Sequence, residues 1–295
     1  MRPFALYCKS YRVDVKRARR LALSVQRYNA QNIDFFISCP QSDLAIFAEH
    51  LSGLNVTLLP DEDIIRTNPA HTVEGIGRIP GSLSQQIIKS EFWRLGHSAS
   101  YLCVDSDSQF IRPFGLDDFI ARDGVPYTIV DECRELLIPA LAAGKQRVID
   151  NFRKESIQVQ DEIGRAGKFY NFGPNNPVWH KDVWTSLDEE FLRPRQLSLA
   201  DLIVKHPIEM RWYGEALLKY KAIPLLPSQP FFKMYAYAWQ LKKDRADGIK
   251  ERDLSQFYCG VTYQSAWERE LDWPREGGNW LSRTGRRLRR ALGRI

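Results

Sequence analysis

Two carboxylates one residue apart, Asp105 and Asp107, follow directly on the apolar run Tyr101-Leu102-Cys103-Val104, and apolar residues resume at Phe110. In extended chain, side chains two positions apart point the same way, so this pair would share one face at the end of a strand. Such a pair suits a hard divalent ion, which prefers oxygen ligands and takes the rest from water or substrate phosphates. The competing reading is a plain turn, because Asp and Ser both favour turns. A second constellation runs over 169–180, where Asn171, Gly173 and further amides lie between aromatic rings. Flat apolar surfaces beside hydrogen-bonding amides suit a sugar ring, although an aromatic-cored loop has the same composition, and His180 reads as structural. The third is Glu209-Met210-Arg211-Trp212-Tyr213-Gly214-Glu215. Glu215 follows a glycine and precedes an apolar run, as a carboxylate at a helix start would. Lys89 and Arg94, on a segment with helical spacing, are the basic counterparts, or else a solvated helix face.

Elements must hold these residues in place. Phe4–Cys8, Ile33–Cys39, Val56–Leu59, Tyr101–Val104 and Tyr127–Val130 read as strands. Helical spacing marks 15–28, with Ala18, Leu21, Ala22 and Val25 on one side, then 42–50 from Ser42 as N-cap, and 82–95. A Gly/Pro-rich loop is expected over 68–81. Residues 133–168 read as helical and charged, and 209–220 as a helix. Strands alternating with helices favour a mostly parallel α/β sheet flanked by helices, whose ligands collect beyond the carboxyl ends of the strands. No repeat or low-complexity linker divides the chain, so one domain with an elaborated second half is expected over 1–280, followed by a tail over 281–295.

The aliphatic strand running into Asp-x-Asp, with a helix carrying Lys89 before it, resembles the DxD element of GT-A glycosyltransferases. Lys9-Ser10-Tyr11 after the first strand, Gln85-Gln86-Ile87-Ile88-Lys89, the Asp-Ser-Asp and Trp212-Tyr213-Gly214-Glu215 together resemble an uncharacterised bacterial glycosyltransferase-like family from polysaccharide gene clusters. The likeness spans roughly 4–265 and implies a GT-A-like, Rossmann-like fold. It implies that Lys9, Ser10, Tyr11 and Asp14 meet the nucleobase and ribose, and that Lys89 and Arg94 face the nucleotide. Asp105 and Ser106 would contact the donor, Asp105 and Asp107 a Mn²⁺ or Mg²⁺ ion, and Asn171 and Gly173 the junction of donor and acceptor. Glu215, or Glu209 in second place, would deprotonate the acceptor hydroxyl. The implied partners are a nucleotide-sugar donor and a glycan or lipid-linked glycan acceptor. One departure concerns the late histidine that many GT-A enzymes supply to the metal: none follows His206, which leaves Asp107 or a late residue such as Gln264.

Composition narrows the alternatives. The 295 residues carry 42 Lys+Arg against 36 Asp+Glu, a net charge of +6, and six of the arginines fall within 283–295. The remainder is formally neutral, which argues against a nucleic-acid channel. The tail reads as a basic amphipathic helix that docks on an anionic membrane, or as a disordered basic tail. Five cysteines without a CxxC pair, and an N-terminus without an apolar leader, point to buried thiols in a reducing compartment. A cytoplasmic protein, peripheral on the inner face of the cytoplasmic membrane, is expected. P-loop, GxGxxG and GxSxG fingerprints are missing. The remaining rivals are a nucleotidyl- or phosphotransferase using the same metal, and a non-catalytic protein binding membrane or nucleic acid through its tail.

Overall fold

The computed structural model describes residues 2–173, 175–268 and 271. The strands are β1 Arg2–Lys9, β2 Phe35–Cys39, β3 Thr57–Pro60, β4 Ser98–Cys103, β5 Ser108–Phe110, β6 Tyr127–Ile129, β7 Val178–His180, β8 Leu226–Ser228, β9 Phe232–Tyr235 and β10 Gly260–Tyr263. The helices before the aspartates are α1 Val15–Tyr28, α2 Leu44–His50, α3 Asp61–Arg66, α4 Val73–Arg78 and α5 Gly81–Glu91. After them come α6 Arg134–Ala142, α7 Gln146–Ile163, α8 Lys181–Leu187, α9 Leu199–Lys205 and α10 Glu209–Tyr220.

The main sheet has the order β3-β2-β1-β4-β7. The first four strands are parallel and β7 pairs antiparallel with β4. The chain starts in the middle at β1, steps outward to β3, and returns to β4 on the other side of β1. That reversal opens a crevice at the carboxyl ends of β1 and β4, where ligands bind in open α/β sheets. β1, β2 and β4 are buried on both faces over most of their length, as the apolar run from Phe4 to Cys8 requires, while β3 at the edge is partly exposed. Phe4, Leu6 and Cys8 pack with Ala18, Leu21 and Phe47 under α1 and α2. Ala5 and Tyr7 point the other way, into a core with Phe92, Tyr101, Trp179, Trp212 and Tyr213.

The structure thus has the mixed α/β architecture, mostly parallel and flanked by helices, that the alternation of strands and helices predicts. It differs in particulars. The loop expected over 68–81 contains α4, which Thr72 caps by accepting the Gly75 N–H at 3.0 Å. Ser42 lies in a short 3-10 turn, Gln41–Asp43, and is not the N-cap of α2. The strand at Tyr127 pairs with β8 outside the main sheet. Residues 281–295, where the amphipathic tail is expected, lie outside the described residues.

Candidate functional site

The carboxyl ends of β1, β2, β3 and β4 open onto one cleft of about 590 Å³, within the usual range for a small-molecule site. Lys9, Ser10, Tyr11 and Asp14 line it after β1, Pro40 after β2, Asp61 and Glu62 after β3, and Asp105, Ser106 and Asp107 after β4. Gln85, Ile88 and Lys89 of α5 form a side wall, and Gln264 and Ser265 complete it from the end of the chain.

The two aspartates occupy a turn, not an extended segment: the Ser108 N–H donates to the Asp105 carbonyl at 3.0 Å. The turn reading therefore holds, and a turn at a strand's end still presents these carboxylates to the cleft. Asn176 fixes the turn from behind. Its Oδ1 accepts the Asp105 N–H at 2.8 Å, and its Nδ2 donates to Ser108 Oγ at 3.0 Å and to Thr262 Oγ1 at 3.1 Å. Asn176 adopts φ 50°, a left-handed conformation that Asn tolerates better than most residues.

Lys89 is buried and gives its ammonium to Asp105 Oδ1 at 2.5 Å, with Glu209 Oε1 at 3.8 Å. Burial pulls its pKa down, but the Asp105 and Glu209 carboxylates outweigh this and hold it well above the ordinary lysine value. The solvated-face reading of Lys89 is thereby excluded. Asp107 is 6% exposed. Its Oδ2 accepts the Ser265 N–H at 2.7 Å, while its Oδ1 is buried without a hydrogen-bond partner. Burial, reinforced by Asp105, pushes the Asp107 pKa up to about 7. Lys9 reaches Asp61 Oδ2 at 2.8 Å, and the second Asp61 oxygen and Ser10 Oγ are also buried without partners.

Buried polar atoms without partners are rare in folded proteins; here three of them line one cleft. The vacant oxygen on Asp107, in a cleft that Asp105 and Gln264 also line, fits a hard cation that completes its shell from water and phosphate. Among the described residues, no group of three or more His, Cys, Asp or Glu forms a metal cage. The oxygen-only set matches the missing late histidine.

Other residues that the sequence singles out lie elsewhere. Arg94 does not line the cleft: it pairs with Glu91 and with Asp188 at 3.1 Å. Asn171 and Gly173 are outside the lining too. Asn171 bridges to Asp131, and Gly173 has φ 115° beside Ile129. Glu215 is not at a helix start, because α10 begins at Glu209. It is 2% exposed and held in a two-pronged ion pair by Arg165, with one contact at 3.0 Å. Burial raises its pKa, and Arg165 opposes the rise. Gly214 answers to packing, since a Cβ there would lie 2.0 Å from the Phe172 ring. His180 is structural as expected: it accepts the Asp182 N–H at 3.1 Å and caps α8. All five cysteines are buried and free.

Gly77 and Gly81, read in the sequence only as part of the Gly/Pro-rich loop, line the cleft. A Cβ on either would meet nothing within 4 Å, and neither has a φ that demands glycine. A glycine inside a helix costs roughly 1 kcal/mol relative to alanine, so Gly77 in α4 spends stability where no neighbour asks for it. Both keep the wall of the cleft bare, which lets a ligand approach the backbone.

The Asp-x-Asp turn follows β4 at the cleft where the strand order of a largely parallel sheet reverses. The structure is similar to mouse xyloside xylosyltransferase 1 in its apo form. The TM-score is 0.50 over 90% of this chain and 99% of that one, at 8% sequence identity, a likeness of fold. Residues 3–144 match a family of unknown function, DUF6492, a stretch that runs from β1 to just past the end of α6. No curated protein sequence matches the chain.

Proposed function

We propose that the protein is a metal-assisted glycosyltransferase, taking a nucleoside-diphosphate sugar in this cleft and passing the sugar to a glycan or lipid-linked glycan acceptor. The observation that supports this most is the unpartnered Asp107 Oδ1, in the same cleft as Lys9 and Lys89 at the strand-order switch. Asp107, with Asp105 and Gln264, would hold Mn²⁺ or Mg²⁺, which when bound neutralises the diphosphate as charge builds on the leaving group. The chain's own residues do the rest. Lys9 and Lys89 bring fixed positive charge to the cleft, preorganised by their carboxylate partners and so requiring no reorientation during reaction. Lys89 also orients Asp105. Ser10 offers a buried hydroxyl, and Tyr11, 44% exposed, offers a ring at the mouth for the base or ribose. Arg94 and Glu215 are committed to ion pairs, and no role in the cleft is given to them, to Asn171 or to Gly173.

Thermal unfolding with nucleoside diphosphates and nucleotide sugars, each with and without Mn²⁺, tests the reading. A matching nucleotide should stabilise the protein, by about 2.7 kcal/mol at a hundredfold excess over Kd, and more strongly with Mn²⁺. Asp107→Ala should lose the Mn²⁺-dependent part and abolish transfer. Near wild-type turnover in that variant removes the metal from this motif. Release of pyrophosphate, in place of a nucleoside diphosphate, would favour a nucleotidyltransferase.

A further inference from the structure

On α6 the outward face beyond the first turn, where Arg134 and Glu135 are exposed, is not polar. Residues 136–144 are Leu-Leu-Ile-Pro-Ala-Leu-Ala-Ala-Gly without a single charge, yet within the helix only Ala140 is fully buried. Ile138 is 61% and Leu141 62% exposed; three apart, they share one side of the helix. Phe257, 79% exposed, belongs to the same region, because the adjacent Tyr258 hydroxyl bonds Glu135 one turn before Ile138. A surface helix of a soluble domain normally turns polar residues outward, and a clustered apolar surface marks an interaction site.

The charge around this edge identifies its partner. Between 134 and 154 five basic residues stand against two acidic ones. Glu135 is already paired with Lys233 at 3.0 Å, and Asp150 accepts from Gln146 at 2.9 Å. Lys145, Arg147, Arg153 and Lys154 are exposed. An apolar tip ringed by cations is the composition of a segment that rests in a membrane interface, with each Lys or Arg near an anionic surface adding about fivefold in affinity.

The α6–α7 hairpin is linked to the cleft through two neighbouring segments. Asp131, just before α6, bridges to Asn171, in the same loop whose Asn176 holds Asp105. From the other side, Arg211 pairs with Glu155 of α7 at 3.1 Å, two residues after the Glu209 that neighbours Lys89. We propose that the α6–α7 hairpin docks the protein on an anionic lipid bilayer through Ile138, Leu141 and Phe257, with its basic residues on the headgroups. This places the cleft beside the surface on which a lipid-carried acceptor would lie. The docking does not depend on what the cleft binds, so it stands or falls separately from the transferase reading.

Because all five native cysteines are buried, Leu141→Cys in the full chain adds an accessible thiol for a polarity-sensitive fluorophore. Glu49→Cys on α2, across the sheet, serves as the control. Phosphatidylcholine vesicles containing phosphatidylglycerol should brighten and blue-shift the label at 141 but not at 49, high salt should reverse the change, and phosphatidylcholine alone should give none. In unlabelled full-length protein, Ile138→Ser with Leu141→Ser should lower vesicle affinity by roughly 10- to 100-fold without altering nucleotide-induced thermal stabilisation. Vesicle binding with a silent label at 141 would assign docking to another surface, such as the basic tail, and overturn the proposal. So would absence of binding, or a label response to protein concentration without vesicles, which would indicate a second copy of the chain.

Discussion

Replacing Asp107 by Asn should stabilise the protein in alkaline solution far more than in acid. The Asp107 carboxyl is 6% exposed, and burial together with Asp105 lifts its pKa from the ordinary 3.8 to about 7. In the unfolded chain it ionises near the ordinary value. Between the two values the unfolded state gives up a proton that the folded state keeps. The stability linked to that proton is therefore fully present below the unfolded pKa and is lost as pH rises through about 7. The whole displacement is worth on the order of 4 kcal/mol, of which about 2.5 kcal/mol falls between about pH 5 and about pH 8. Asn has almost the same shape, cannot ionise, and retains a carbonyl for the Ser265 N–H that Asp107 accepts at 2.7 Å. Urea unfolding of both proteins with chelator present, at those two pH values, measures the difference. The variant's advantage should grow by roughly 2–3 kcal/mol from the lower pH to the higher; other carboxylates titrate in both proteins and largely cancel. A pH-independent difference, or a variant less stable than wild type at the higher pH, would refute the account of a buried charge held at a cost.

Glu215→Gln should destabilise the protein by about 3 kcal/mol, because it removes the buried charge that Arg165 pairs with, yet leave nucleotide binding and turnover per folded molecule unchanged; kinetics normalised to the folded fraction would show it. Gly77→Leu should fold normally, with circular dichroism like wild type, and weaken nucleotide binding by at least roughly tenfold through occupation of the cleft; unimpaired binding would mean that no ligand approaches α4. Asn176→Ala, which removes the acceptor of the Asp105 N–H, should cost about 1–3 kcal/mol of stability and weaken Mn²⁺-dependent thermal stabilisation as well. Loss of stability alone, with the Mn²⁺ response intact, would show that the turn does not need Asn176 to hold its carboxylates.

The sequence alone determined the elements whose signals are local. Val15–Tyr28 and Glu209–Tyr220 are helices over the expected residues, because each carries a helical stripe of apolar side chains. β1, β2 and β4 are legible as apolar runs because parallel strands are buried on both faces. The Asp-Ser-Asp following such a run marked the edge of the sheet where the cleft opens. Tertiary structure decided what depends on distant partners. β5 and β7 are three residues long, too short for any period to show, and exist through pairing with β10 and β4. The same non-locality governs the charges. Lys89 and Glu215 look alike in sequence, each a charged residue on a helix. Packing sets Lys89 against Asp105 in the cleft and buries Glu215 against Arg165, 50 residues away along the chain. Which carboxylate meets a ligand and which meets an arginine depends on how α10 lies against α5 and α7, and no spacing along the chain records that.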